Sequence, residues 1–371
     1  MKYVEQSTYQ KWTRRQVPRK GDIILTREAP LGEVGMLRTD DNVFLGQRLV
    51  SYRVDPAKAD NRFLLYAFQS DYLQSQIKAF GSGATVEHMR VPDAKKLRVL
   101  LPPLATQHRI ASILSAYDDL IENNTRRIAI LEEMARRLYE EWFVQFRFPG
   151  HEGAGFKESE LGRIPDGWRC RRLEEVVALN PRTRVPKDGE KLFIPMGALS
   201  ESSMTIVGTE RKAGNSGAKF QNGDTLVARI TPCLENGKTG FVDFLPDDQP
   251  TACGSTEFIV LRSQTLCPEM VYLLARSERF RDVAIKSMSG ATGRQRIRVE
   301  SIKEFPVVQP DDETLRRFQE FAGPCFRHIR VLAEKNTNLR TQRDLLLPKL
   351  VSGEIDVSDI PLPNEEETEA A

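Results

Sequence analysis

The feature that most limits what this chain can become is an apolar stripe of seven-residue period. Between Thr106 and Phe146, the residues Tyr117, Ile121, Asn124, Ile128, Leu131, Ala135, Leu138 and Trp142 follow one another at alternating steps of 4 and 3. That is the seam spacing of a coiled coil, and it predicts a helix whose apolar face needs a partner. The positions between carry Glu122, Arg126, Arg127, Glu132, Glu133, Arg136 and Arg137, and no Gly or Pro interrupts until Pro149. About 40 residues rising ~1.5 Å each make a rod of roughly 60 Å.

The stripe recurs near the C-terminus. Cys325, Ile329, Leu332, Asn336, Leu339, Arg343, Leu346 and Leu350 take the same steps, each 208 residues after its counterpart. Two such helices in one chain most simply bury their seams against each other. Antiparallel pairing with residue numbers summing to 460 sets Asn124 against Asn336 and Ile128 on Leu332. It also sets Leu131 on Ile329, Ala135 on Cys325, Ile121 on Leu339, and Trp142 near Phe318. One Asn pair in an apolar seam would fix the register at some cost in stability. A slip of one heptad would move whatever the helices carry by ~10 Å.

Composition excludes several classes. With 40% hydrophobic and 29% charged residues in 371, the chain reads as an ordinary globular protein of two or three domains. No apolar run approaches the ~20 residues of a membrane span, and MKYVEQSTYQKW lacks the apolar core of a signal peptide, so cytoplasm is the default location. The five cysteines form no CxxC pair and the four histidines lie far apart without HExxH, which argues against a disulfide framework or a metal centre. Net charge is only +2, but it is uneven. Seven basic residues stand against two acids from Lys2 to Arg27, and again from Arg276 to Arg298, while seven acids and no base follow from Glu354 onward. Such asymmetry fits basic patches on folded domains.

An internal repeat underlies the recurring stripe. PRKGDIILTREAPLGEVGML (18–37) matches FQNGDTLVARITPCLENGKTGFV (220–242), with Gly21-Asp22 on Gly223-Asp224, Arg27 on Arg229 and Pro30 on Pro232. Strand-like runs follow at 44–54 and 252–262, then one helix-like segment in each copy, then polar loops at 81–90 and 289–298 that share Gly-Ala-Thr. A last strand follows in each, KKLRVLLPP or KEFPVVQP, and the long helix comes next. The expected organisation is a first globule at 1–103, a long helix at 104–147, a second globule at 148–308, a second long helix at 309–353 and an acidic tail at 354–371. The segment 167–199 opens the second globule and has no counterpart in the first. Roughly 35–40 residues are thus missing from the first globule's start, either because it is naturally short or because the chain is truncated.

At this point the pattern resembles the specificity (S) subunits of type I restriction–modification systems. LLPPLATQHRIASILSAYDDLIENNTRRIAILEEMARRLYEEWFVQF (100–146) resembles that family's central conserved region. NLRTQRDLLLPKLVSGEI (338–355) resembles its distal conserved region, and GWRCRRLEEVV (167–177) the opening of a target recognition domain. The resemblance implies an α+β fold: two mixed α/β target recognition domains separated by two long helices that form an antiparallel coiled coil, with pseudo-two-fold duplication. It further implies a non-catalytic subunit without cofactor. Each globule would read one half of a bipartite site in double-stranded DNA. The helices would set the spacing and dock two modification subunits, and the assembly would recruit restriction subunits.

Arg suits guanine, Asn and Gln suit adenine, and Ser and Thr are permissive, so the polar loops are the candidate readers. In the first globule these are Arg27, Gln47, Ser82, Thr85, Glu87, His88 and Arg90. In the second they are Arg229, Asn236, Lys238, Thr292, Arg294, Gln295, Arg296 and Arg298, with Lys286 as a phosphate contact. Arg27 and Arg229, each closing an apolar run, have a structural salt-bridge role as their plain alternative.

Enzyme signatures are absent. Asn180-Pro181-Arg182-Thr183 is only a fragment of a methyltransferase motif, and neither GSGAT nor SGATG is a nucleotide-binding GxxxxGK(S/T). The alternative to a DNA reader is a coiled-coil adaptor with two protein-binding globules.

Overall fold

A computed structural model describes residues 3–83, 87–290 and 295–361. The chain forms two compact units, Met1–Asn123 with Asn336–Ala371, and Asn124–Lys335. Each contains one globule and a portion of each long helix, Leu104–Tyr139 and Asp312–Ser352. No helix among the described residues is long and apolar enough to cross a membrane.

In the first unit, strand Ile23–Arg27 lies between Leu31–Met36 and Leu49–Tyr52, antiparallel to both. Two nine-residue helices, Asn61–Gln69 and Asp71–Ala79, cover the sheet. Sequence periodicity reads 63–80 as one helix. The chain breaks it at Ser70, whose extended backbone (ψ 150°) ends one helix and starts the next. Asp60 caps the first helix, accepting from the Phe63 amide at 2.7 Å. Ile23, Leu25, Phe63, Phe68, Leu73 and Ile77 form one core with Ile110, Ala111 and Leu114 of the central helix and Leu347 and Leu350 of the distal one.

The two helices are antiparallel neighbours in this unit. Arg343 meets Asp118 at 2.5 Å, Asn336 Nδ2 donates to the Ile121 carbonyl at 3.4 Å, and Arg109 Nε donates to the Ile360 carbonyl at 2.5 Å. The Arg343–Asp118 contact lies within one residue of the expected register.

The second unit carries the same theme with additions. Strand Thr225–Ala228 pairs with Thr239–Phe241 and Phe258–Ser263, and Val177–Leu179 extends the sheet. Thr225 lies opposite Leu261 as Ile23 lies opposite Tyr52. Helices Pro268–Arg276 and Glu278–Lys286 again break at a serine, Ser277, whose Oγ accepts from the Phe280 amide at 3.3 Å. A second sheet has the order Ala218–Gln221, Thr251–Gly254, Glu190–Ile194, Glu210–Ala213. The strand expected at KEFPVVQP is Pro306–Gln309, which pairs with Arg169–Arg172. Its expected counterpart at KKLRVLLPP is not a strand. The partner of 306–309 belongs to the opening segment that the first globule has no counterpart for, and residues 95–103 pair with no strand among the described residues.

Within this unit Trp142 stacks edge-on against Phe318, ring centroids 6.0 Å apart, at the expected register. Ile128, Leu131, Ala135 and Leu138 share one core with Ile329 and Leu332. The seam drifts at its end. Leu138 and Trp142 are half-buried, whereas their neighbours Tyr139 and Phe143 are buried. There the helix passes into a π turn, Glu140–Val144, and Phe143 turns to Trp168 at 5.8 Å. Trp168 Nε1 donates to Asp311 at 2.9 Å, and Asp311 also accepts from Thr314 at the start of the distal helix. Of the other seam residues, Asn124, Ile128, Ile329, Leu332 and Asn336 are buried, while Tyr117, Ile121, Leu131, Leu339 and Leu346 are half-buried.

A half-buried acid joins the central helix to the second globule. Glu132 accepts from Ser203 Oγ and the Met204 amide, both at 2.7 Å. Burial raises its carboxyl above the usual range despite these two bonds and nearby Arg276.

Candidate nucleic-acid interface

Each globule closes its candidate loops with an arginine at a strand end. In the first, the Arg27 amide donates to the Arg48 carbonyl at 2.7 Å, and the Met89 amide donates to the Arg27 carbonyl at 2.9 Å. The Arg27 guanidinium donates to the Met89 carbonyl at 3.0 Å and to the Gln47 carbonyl. One side chain therefore fastens both the 44–48 and the 82–90 loops. Ser82 and His88 exchange backbone hydrogen bonds of 3.1 and 2.9 Å, which narrow the second loop at its base. Gln47, Ser82, Glu87, His88 and Arg90 are exposed around this anchor. Arg90 is bonded to Asp93 at 2.8 Å, yet its side chain stays 70% accessible.

In the second globule the Arg229 amide donates to the Glu257 carbonyl at 2.9 Å, and the Ile297 amide donates to the Arg229 carbonyl at 2.9 Å. Here the anchor is ionic. Glu257 accepts from Arg296 Nη2 at 2.6 Å and stands 4.0 Å from Arg229 Nε. Arg296 holds its carboxyl below the ordinary glutamate value. The Thr231 amide donates to the Gln295 carbonyl at 3.1 Å. Arg298 is exposed and bonded to Ser289 Oγ at 2.9 Å, and Lys286 is exposed. Asn236 donates to Glu201 at 2.9 Å and Lys238 reaches the Met196 carbonyl at 3.5 Å. Thr85, Thr292 and Arg294 lie outside the described residues.

Arg27 and Arg296 thus spend side-chain hydrogen bonds on their own loops, whereas Arg229 bonds its loops through its backbone and stands 4.0 Å from Glu257. Gln47, Ser82, Glu87, His88, Arg90, Gln295 and Arg298 are left on or beside the anchored loops, and Lys286 stands exposed at the end of helix Glu278–Lys286. Arg48 and Glu257 were not among the sequence candidates. They occupy the same place relative to Arg27 and Arg229 but carry opposite charge, so no shared residue type marks them. Arg48 pairs instead with Glu28 at 3.4 Å.

A second shared device lies behind each anchor. Arg53 grips Asp22 with Nε and Nη2 at 2.8 and 2.7 Å. Arg262 grips Asp224 in the same way at 2.7 and 2.6 Å. The two carboxylates are 2% and 0% exposed, so a bidentate partner is what makes their burial tolerable. Among the described residues, no group of three or more His, Cys, Asp or Glu side chains is placed to hold a metal.

Residues 6–133 match the family described as the type I restriction modification DNA specificity domain. The chain is 25% identical over 353 residues to the type I restriction enzyme MjaIX specificity subunit of Methanocaldococcus jannaschii, covering 92% of this chain and 79% of that protein. It is 22% identical to the HindI specificity subunit of Haemophilus influenzae, covering 91% and 87%. The crystal structure of an S subunit from M. genitalium superposes with a TM-score of 0.53 at 17% identity, over 90% of this chain and 84% of that one. That likeness is one of fold, and it agrees with the mixed helix and strand content of the two units. Residues 6–133 thus match the type I restriction modification DNA specificity domain, and over nine-tenths of its length the chain is similar to a specificity subunit of a type I restriction enzyme.

Proposed function

We propose that this chain is the non-catalytic DNA-reading subunit of a type I restriction–modification complex, with each globule reading one half of a bipartite duplex site. The observation that carries the reading is the repeated loop anchor: Arg27 with Met89, and Arg229 with Ile297, each fastening exposed polar loops to a strand end. Loops fastened at their bases suit direct readout, since a side chain aimed at a base edge in advance discriminates best. Gln47 and Gln295 would face adenine, Arg90 and Arg298 guanine, and Ser82 either. Lys286 would contact phosphate, adding affinity without sequence information. Arg27, Arg229 and Arg296 would position the loops. The paired helices would fix the spacing of the two halves and present docking surface to two modification subunits. Methylation and cleavage would then come from partner subunits.

The test is a titration of labelled duplex with this chain and its modification subunits over a range of salt. A bipartite preference with a steep salt slope supports the reading. Binding indifferent to both sequence and salt overturns it and favours the adaptor alternative.

A further inference from the structure

The first globule carries a basic surface outside its candidate loops. Lys11 lies in the last turn of helix Gln6–Thr13, and Arg14 and Arg15 follow directly where the chain leaves the helix. Arg19 and Lys20 follow. All five are exposed, and none forms an ion pair among the described residues. A basic run is ordinarily a solvated surface, and two further observations separate this one from that case.

The segment is held in one shape by the buried pair behind the loop anchor. Arg53 Nη2 donates to the Val17 carbonyl at 2.7 Å, the Arg19 amide donates to Asp22 at 3.0 Å, and Gln16 Nε2 donates to Asp22 at 3.2 Å and to Ser51 at 3.3 Å. The segment also reaches the candidate reading loop. Trp12, 40% exposed, packs on Phe44 with ring centroids 6.2 Å apart. Phe44 lies in the stretch that leads to Gln47. Five free cations are therefore presented rigidly, beside an exposed indole, on a segment that touches the proposed reader. The second globule holds Asp224–Arg262 alike, but its chain before that pair is strand Ala218–Gln221, with no basic helix.

We infer that Lys11, Arg14 and Arg15 clamp the phosphate backbone of the duplex flanking the first globule's half-site. The inference rests on the proposed reading of DNA by this chain. The clamp adds affinity and orientation, not sequence preference, because phosphates are the same in every sequence.

The test uses the full chain assembled with its modification subunits, wild type against Lys11→Gln/Arg14→Gln/Arg15→Gln. The probe is a duplex selected by the wild-type complex from a randomised pool, in a long form and in a form trimmed at the edge of the first half-site. The changes are exposed, and matching unfolding curves confirm that the variant folds. Three lost phosphate contacts lower the slope of log affinity against log salt by about 2–3 and weaken binding at 0.15 M salt by roughly 10- to 100-fold. Base preferences in both halves stay unchanged, and trimming the flank abolishes the difference. An unaltered salt slope, or a loss that depends on sequence, overturns the clamp while leaving the reading function standing. A wild-type complex that selects no sequence overturns the reading itself, and the clamp with it.

Discussion

Arg343 occupies a seam position of the distal helix and gives its Nη1 to Asp118 Oδ1 at 2.5 Å, while Tyr66 in the first globule gives its hydroxyl to Asp118 Oδ2 at 2.6 Å. One carboxylate thereby joins two long helices to the globule they carry. Burial pushes the Tyr66 hydroxyl up, with Asp118 adding to the shift. Asp118→Ala leaves a half-buried guanidinium without its main partner and should destabilise the chain by about 2–3 kcal/mol. Tyr66→Phe should cost about 1 kcal/mol. Urea unfolding midpoints at pH 7 check both, and equal midpoints for wild type and Asp118→Ala would remove the joint from the account.

The bidentate pairs Asp22–Arg53 and Asp224–Arg262 should each be worth more than a surface ion pair. Arg262→Met strands a carboxylate of 0% exposure and should cost about 3–5 kcal/mol. For Asp22, burial opposes ionisation, but the bonds from Arg53 and the Arg19 amide outweigh it and hold the carboxyl below its ordinary value. Its stabilising contribution is therefore present above the unfolded-state value near 3.8 and is lost as pH falls through the lower folded one. Asp22→Asn should be less stable at pH 7 and should lose less on acidification. Thermal unfolding from pH 3 to pH 7 tests this.

Asp243 is the opposite case. Burial raises its carboxyl to about 7, moderated by Arg330 and reinforced by Glu334 on the distal helix. An acid with a raised folded value withdraws stability as pH climbs from its unfolded value toward 7, and the deficit is complete above that. Asp243→Asn should therefore exceed wild type by about 1–3 kcal/mol at pH 8, with the gap closing toward pH 4. A variant no more stable than wild type at pH 8 would show that Asp243 ionises without penalty.

Recognition should divide by residue role. Arg298→Ala should relax preference at one half-site by about 1–3 kcal/mol and leave the other untouched. Lys286→Glu should weaken binding evenly across sequences and lower the salt slope by at least about 1. Glu257→Gln frees Arg296 and Arg229 together, so it should alter preference in that same half while phosphate affinity holds. Selection from a randomised duplex pool reads all three. If Arg298→Ala and Glu257→Gln both leave the selected sequence unchanged, the loops at 257 and 295–298 do not read bases.

The periodic parts of the fold were the legible ones. Heptad spacing placed Trp142 beside Phe318 and Arg343 within one residue of its partner's register, because an apolar stripe has few ways to be buried. The break at Ser70 was missed, since the apolar spacing continues through it and only the local hydrogen bonding turns the chain. The Arg53–Asp22 and Arg262–Asp224 pairs were missed for a different reason. Matching 44–54 with 252–262 sets Arg53 against Leu261, one residue away from the strand register that aligns it with Arg262. At the interface, sequence could nominate exposed loops. It could not show that Arg27 and Arg296 are engaged within their own globules, because their partners are backbone carbonyls and an acid far away in the chain.

Glu132 sets a condition on evolutionary exchange of the second globule. A replacement recombined onto this central helix must bring a hydroxyl and an amide to the place of Ser203 and Met204. Otherwise the graft leaves a half-buried carboxylate without the two donors that now satisfy it. Exchange of this globule is thus limited by its fit at this one socket on the helix.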